Sequence, residues 1–183
     1  MAFASLALIA FTTLAACSKE DAKPEAAKTG QPAEEKPDPG FHLPDACALL
    51  DVAAIANVSG WKDLKVVPVE TGAEYLSACN IIGTDPKHFV KISIAIGGDE
   101  FKDSKEFAEI YGDRSGTLVR PARAVTNLGA PVIEMDGGPE MQAMQSRTKP
   151  YTEMTIITPS MQLTRTLFPQ ALIKLRELGV KDS

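Results

Sequence analysis

The sequence predicts an α+β fold: a mainly antiparallel sheet of about six to seven strands with helices packed on one face. Three observations predict it. Apolar residues recur with period two, most clearly at Val90, Ile92, Ile94 and Ile96. Single stretches of helical periodicity interrupt the strand runs. The order reads helix, three strands, helix, about four strands, helix. The strands are joined by short connections rich in Gly, Asp and Pro, which suits antiparallel pairing.

Taken in order, Pro44 and Asp45 start a helical turn carrying Cys47, Leu49 and Leu50. Asp51 is placed to cap the next helix, with Val52, Ile55 and Val58 on one face and Ser59-Gly60 ending it. Residues 64–69, 75–82 and 88–96 read as strands. Residues 103–111 form a short amphipathic helix with Phe107 and Ile110 inward and Asp103 or Ser104 as cap. Residues 123–128 and 131–135 are extended, and Asp136-Gly137-Gly138 turns the chain into a pair of strands at 140–147 and 152–158. A last helix over 159–178 places Leu163, Leu167, Ala171, Leu175 and Leu178 at helical spacing. Pro169 starts or kinks it, and Gly179 stands at the position after its C-terminus.

The opening of the chain is an address. Fifteen uncharged, mostly apolar residues (2–16) run into Leu14-Ala15-Ala16-Cys17. The run is too short for a membrane span, which needs about 20 residues, and it has the length of a secretory apolar core. The tetrapeptide resembles the lipobox of bacterial lipoproteins. That resemblance implies a signal peptide at 1–16 and a mature chain that starts at Cys17, with diacylglycerol on its thiol and an acyl chain on its amine. Ser18 implies sorting to the outer membrane, with the domain in the periplasm. No Lys or Arg precedes the apolar run, whereas signal peptides begin with positive charge, so the start codon is expected upstream. Three acyl chains at about 0.8 kcal/mol per buried CH₂ make such an anchor effectively permanent.

Residues 18–40 hold four prolines and ten charged residues, with alanine the only aliphatic type. Such a segment buries too little apolar surface to offset chain entropy and is expected to act as a disordered tether. It would reach about 70 Å as polyproline II, or roughly 25–30 Å as a flexible coil. Residues 41–183 then form a single globular domain. The whole chain carries a formal charge of −5, from 19 basic and 24 acidic residues. No run of Lys or Arg stands out, which disfavours nucleic acid as a partner. With Cys17 assigned to lipid, Cys47 and Cys79 remain, and two cysteines in an exported domain predict one disulfide.

The segment Asp45-Ala46-Cys47-Ala48-Leu49-Leu50-Asp51 resembles the D-x-C-x-L-L-[TD] opening of a set of small cysteine-paired bacterial lipoproteins. Val125-Thr126-Asn127-Leu128-Gly129 matches their V-x-x-L-G segment, and Ala171-Leu172-Ile173-Lys174-Leu175 their closing A-L-x-x-L helix. The resemblance implies the same topology and the Cys47–Cys79 link, and no activity. Asn80 departs from it, since relatives place an aromatic or basic residue after the second cysteine.

Other motifs carry less. Residues 97–101 spell GGDEF, which resembles the signature of diguanylate cyclases. Here the string leads into a helix rather than a strand, and it reads as a polar turn before an acidic helix start. There is no G-x-S-x-G, and His42 and His88, the two histidines, read as surface residues. Carboxylate pairs such as Asp99-Glu100 are not diagnostic. Met135, Met141, Met144, Met154 and Met161 raise a Cu(I) site, but strand methionines more often fill cores. Trp61 reads as a core or lid residue. No catalytic, cofactor-binding or metal-ligating set is expected.

These readings lead to a lipid-anchored envelope protein, held to the membrane at Cys17. Its domain is expected to be a non-catalytic binding module of inhibitor or immunity type that contacts another envelope protein. An envelope hydrolase with an unrecognised site, and a lipid or small-ligand carrier, are the alternatives. A carboxylate beside His88 in a cleft points to the first alternative, a large closed apolar cavity to the second, and an exposed apolar patch to the binding module.

Overall fold

Seven antiparallel strands form one sheet in the order β1-β2-β3-β7-β6-β5-β4. They are β1 (Lys65–Val69), β2 (Leu76–Ile82), β3 (Phe89–Ile96), β4 (Arg120–Val125), β5 (Val132–Asp136), β6 (Gln142–Thr148) and β7 (Thr152–Thr158). Among the described residues three helices accompany them: α1 (Val52–Ser59), α2 (Ser104–Arg114) and α3 (Met161–Glu177), with a 3-10 turn at Ala46–Ala48. The α+β class and the antiparallel sheet are those the sequence predicts. The computed structural model describes residues 42–97, 100–114, 118–148 and 152–179, with backbone alone for 112–114. Residues 1–41, which hold the expected signal peptide, Cys17 and the expected tether, lie outside the described residues, as do Gly98 and Asp99 of the GGDEF string.

Register sorts the side chains onto two faces, because residues paired across antiparallel strands point the same way. Val66, Ile81 and Val90 share one face with Cys79, Ile92, Ile156 and Met144, and with Ile94, Met154, Ser146 and Val132. We call this the main face. The reverse face carries Val67, Asn80, Lys91, Ile157, Ala143 and Met135 in one row, and Val69, Ala78, Ser93, Thr155, Gln145 and Ile133 in the next.

The main face is sealed over its centre, while Val66 at its β1 edge is 44% exposed. Ile92, Ile94, Met154, Ile156 and Met144 are at most 2% exposed beneath Leu163, Leu167, Phe168, Ala171, Leu172 and Leu175 of α3, with Leu49, Leu50 and Ile55 completing the cluster. The helical spacing read from the sequence holds for the α3 residues, except that Leu178 lies past the helix and is 45% exposed. Pro169 stands inside α3, where its missing N–H leaves the Arg165 carbonyl without a helical donor. Arg165 also grips Glu134 of β5 with two 2.7 Å hydrogen bonds. This bidentate fork raises the Arg165 pKa further and fixes α3 across the sheet.

Local chemistry sets the ends of α1. The Asp51 carboxylate accepts from the Ala53 N–H at 3.0 Å, satisfying a first-turn donor. Gly60 closes the helix at φ 73°, a left-handed conformation that glycine adopts without Cβ strain, and donates to the Ala56 carbonyl at 2.8 Å. Cys47 and Cys79 form a disulfide with Cα atoms 5.1 Å apart. The Ala46 N–H donates to Ser77 Oγ at 2.9 Å beside it, so the 3-10 turn is fastened to β2 twice.

α2 departs from the single helical face that the sequence predicts. It packs on the reverse side of β4 and β5, where Phe101, Phe107, Ala108 and Ile133 form a second buried cluster. Val132 belongs to the main cluster and Ile133 to this one, as strand alternation requires. Helical periodicity shows that α2 has an apolar stripe, but it does not say which side of the sheet receives it.

The Asp103 carboxylate caps α2 through the N–H groups of Glu106 and Lys105, at 3.0 and 2.9 Å. Those bonds lower its pKa. Ser104 Oγ donates to the Val125 carbonyl at 2.7 Å and accepts from the Val132 N–H at 2.9 Å, pinning the first turn where β4 ends and β5 begins. Arg147 ties the other end. Its guanidinium donates to the Gly97 carbonyl at 2.6 Å and the Tyr111 hydroxyl at 2.9 Å, pairs with Glu153, and lies over the Phe107 and Tyr111 rings.

Candidate interaction surface

Only part of the reverse face is covered. Beneath α2, Ile133, Ala143 and Gln145 are at most 4% exposed. Among the described residues, no helix lies on this side of β1, β2, β3 and β7. Leu76, Ala78, Asn80, Phe89, Ser93, Ala95, Thr155 and Ile157 there remain partly exposed. Val67, Val69 and Ile82 are 39%, 39% and 41% exposed. A sheet face that carries valine, isoleucine and phenylalanine is normally buried by a second layer; here these side chains form a mixed patch with Asn80, Ser93 and Thr155.

Two lysines, Lys65 and Lys91, stand in this patch and are exposed. Lys91 Nζ lies 5.4 Å from the centre of the Phe89 ring, and among the described residues neither lysine has a carboxylate partner. Gln145 stands where the covered and open parts meet, flanked by Thr155 and Ile133, and its buried Oε1 has no hydrogen-bond partner. An amide oxygen held dry and unpaired carries a cost that a ligand or water would relieve.

The sheet edges are poor docking sites by comparison. β1 is five residues long and contains Pro68; β4 contains Pro121, two arginines and a register shift between Arg120 and Arg123. A ladder tolerates proline where its missing N–H would face outward, so each free edge loses a donor.

The residues singled out from the sequence fall elsewhere. His88 stacks on Trp61 with ring centres 4.7 Å apart and planes at 16°. Among the described residues no group hydrogen-bonds the His88 ring, and the Asp85 carboxylate is turned to the Lys87 N–H at 2.8 Å. Trp61 also borders an open groove of about 300 Å³ with Val58, Ser59, Ser160, Gln162, Leu163 and Thr166. The methionines separate: Met144, Met154 and Met161 join the main cluster, Met135 joins the α2 cluster, and Met141 folds over the Gly137 turn. Phe101, the last letter of GGDEF, stacks on Phe107 at 4.4 Å in the core of the α2 cluster. Among the described residues, no three His, Cys, Asp or Glu side chains come together to hold a metal.

The chain matches no family model, and comparison with curated proteins and with solved structures finds no match either.

The sequence reading did not single out Lys65, Val67, Val69, Ile82, Phe89 or Lys91. Their signal was present: Val66-Val67, Ile81-Ile82 and Phe89-Val90 put apolar residues at consecutive positions, more than a sheet buried on one face needs.

Proposed function

We propose that this chain is a lipid-anchored protein of the bacterial envelope whose domain is a non-catalytic module that grips another envelope protein. The open part of the reverse face carries this reading. It offers exposed Val67, Val69 and Ile82 beside partly exposed Phe89 and Ile157, and among the described residues it brings together no convergent acid, base and nucleophile of the kind that hydrolysis requires. Leu14-Ala15-Ala16-Cys17 supports acylation at Cys17, and the Pro-rich charged segment at 18–40 supports a tether that lets the domain reach a partner.

A photo-crosslinking side chain at Val67 or Ile82, in the full chain in cells, is expected to give a discrete protein adduct. The same group at Ile173, 56% exposed on α3, is expected to give none. Adducts confined to Ile173, or absent at all three positions, overturn the binding reading. Cys17→Ala is expected to release the chain from the membrane fraction; a variant still membrane-bound overturns the anchor.

A further inference from the structure

We infer that the groove beside Trp61 is a binding site for a neutral saccharide. The site lies apart from the open reverse face and stands whether or not that face holds a protein.

The groove forms where the end of α1 meets the first turns of α3, two helices that belong to the main-face layer. Its volume, about 300 Å³, is at the lower end for small-ligand sites. Trp61 is set in place before any ligand arrives. Gly60 turns the chain at φ 73°, the Trp61 N–H donates to Ser59 Oγ at 3.1 Å, and the Ser59 hydroxyl donates in turn to the Ile55 carbonyl at 2.7 Å. His88 stacks against the indole, and the turn between β2 and β3 holds His88 there. The Gly83 N–H donates to the His88 carbonyl at 2.8 Å, and a Cβ at Gly83 would lie 2.8 Å from the His88 Cβ. A ring held this way loses little freedom on binding.

The walls select the chemistry of the ligand. Among the described residues, no Asp, Glu, Lys, Arg or His side chain lines the groove, and Arg165 on α3 is turned to Glu134. A charged ligand would find no charge-assisted partner here. Trp61, Val58 and Leu163 supply apolar surface, with Val58 45% exposed. Uncharged polar groups stand among them. The Gln162 amide, the Ser160 hydroxyl and the Trp61 indole N–H make no hydrogen bond among the described residues. Ser160 is the N-cap of α3, yet its hydroxyl makes no capping bond, where an N-cap serine ordinarily accepts from the first turn. The Thr166 hydroxyl donates to the Gln162 carbonyl at 3.0 Å and keeps its lone pairs as acceptors.

An all-apolar ligand would dry these groups without pairing them, at a cost. An extended peptide needs an open ladder, and no strand residue lines the groove. A sugar ring meets both halves of the lining. Its C–H groups pack on the apolar side chains and on an indole whose face is electron-rich. Its hydroxyls donate to and accept from the amide and hydroxyl groups.

Trp61 is the sole tryptophan, so its fluorescence reports on this site alone. The full chain carrying Cys17→Ala, labelled with ¹⁵N, is titrated with maltose, with N,N′-diacetylchitobiose and, as a charged control, with glucose 6-phosphate. At least one disaccharide is expected to change Trp61 emission and to shift the amides of Gln162 and Thr166, with an affinity that salt leaves unchanged because no ion pair forms. Gln162→Ala is expected to weaken that binding roughly fivefold, as the loss of one hydrogen-bonding group does. Gln162 is exposed, so the thermal melt of this variant is expected to match the parent chain. The inference is overturned by no response to either disaccharide, by tighter binding of glucose 6-phosphate, by shifts centred on Ala78, Ser93 and Thr155, or by Gln162→Ala binding as tightly as the parent. None of these outcomes depends on the crosslinks at Val67 and Ile82, so the saccharide site and the protein-binding reading fail separately.

Discussion

Lys91 and Ile92 are neighbours on one central strand, yet Ile92 is 1% exposed and Lys91 is exposed to solvent. The same division runs through β2, β3 and β7. On their main face, Cys79, Ile81, Val90, Ile92, Ile94, Met154 and Ile156 are shut away beneath α3, α1 and the 3-10 turn. On their reverse face, Ala78, Phe89, Ser93, Thr155 and Ile157 stay partly open. The sheet has two apolar faces but helices enough for one and part of the second. The main face makes the fold, and part of the other stays uncovered by the described helices.

Four sets of changes would sharpen or break that contrast. The largest effect is expected from Phe168→Ala on the main face, about 3–5 kcal/mol by the cost of truncating a buried aromatic, measured by urea denaturation. Phe107→Ala in the α2 cluster is expected to loosen α2, β4 and β5 first in hydrogen exchange, leaving β2 and β3 protected. If both variants loosen the same amides equally, the two faces are one cooperative unit and the contrast fails.

Replacing Cys47 and Cys79 together by alanine reopens a loop with a sequence separation of 32. Loop-closure entropy puts that loss at about 3–4 kcal/mol, and thermal melts of the oxidised and double-alanine forms check it. A variant as stable as the oxidised chain would mean that packing alone seats the 3-10 turn on the main face.

Val67→Ser and Lys91→Glu on the open surface are expected to change stability by no more than about 0.5 kcal/mol, as surface positions do. Losses comparable to that of Phe168→Ala would show that these side chains support the fold, and the open surface would lose its claim as an interface.

The smallest effect is a pH dependence. The N–H groups of Glu106 and Lys105 lower the Asp103 pKa below its ordinary 3.8. At Asp136 the Gln142 amide, then the Gly138 N–H, do the same. A depressed carboxylate contributes stability that is fully present above its unfolded value and is lost as pH falls through the folded one. Stability is therefore expected to fall below about pH 4, with Asp103→Asn removing part of that slope. Asp103 is exposed and Asp136 partly so, so the effect is expected to be small, and unchanged acid titration in Asp103→Asn would remove Asp103 as a source.

Much of the fold was legible from local chemistry. Asp51 and Gly60 marked the ends of α1, Asp103 the start of α2, and Val90, Ile92 and Ile94 the most regular strand, because caps and periodicity act over a few residues. Leu163, Leu167, Ala171 and Leu175 announced their burial by spacing. Val58 and Leu178 obeyed the same spacing and ended up 45% exposed, because a stripe is buried only as far as its partner surface extends.

The candidate surface was less legible, and the reason is physical. Each strand's alternation was fixed by its own sequence, and so was the presence of a helix between β3 and β4. Nothing local to residues 104–114 states which face of a sheet that helix will cover, because β5 offers Val132 to one side and Ile133 to the other. That choice depends on which face α3 and the 3-10 turn occupy. By itself the sequence determined an α+β chain with an export-like opening, a cysteine pair and two apolar sheet faces. Only the tertiary structure decided that α2 crosses to the reverse side, and thereby which valines, isoleucines and lysines are left uncovered.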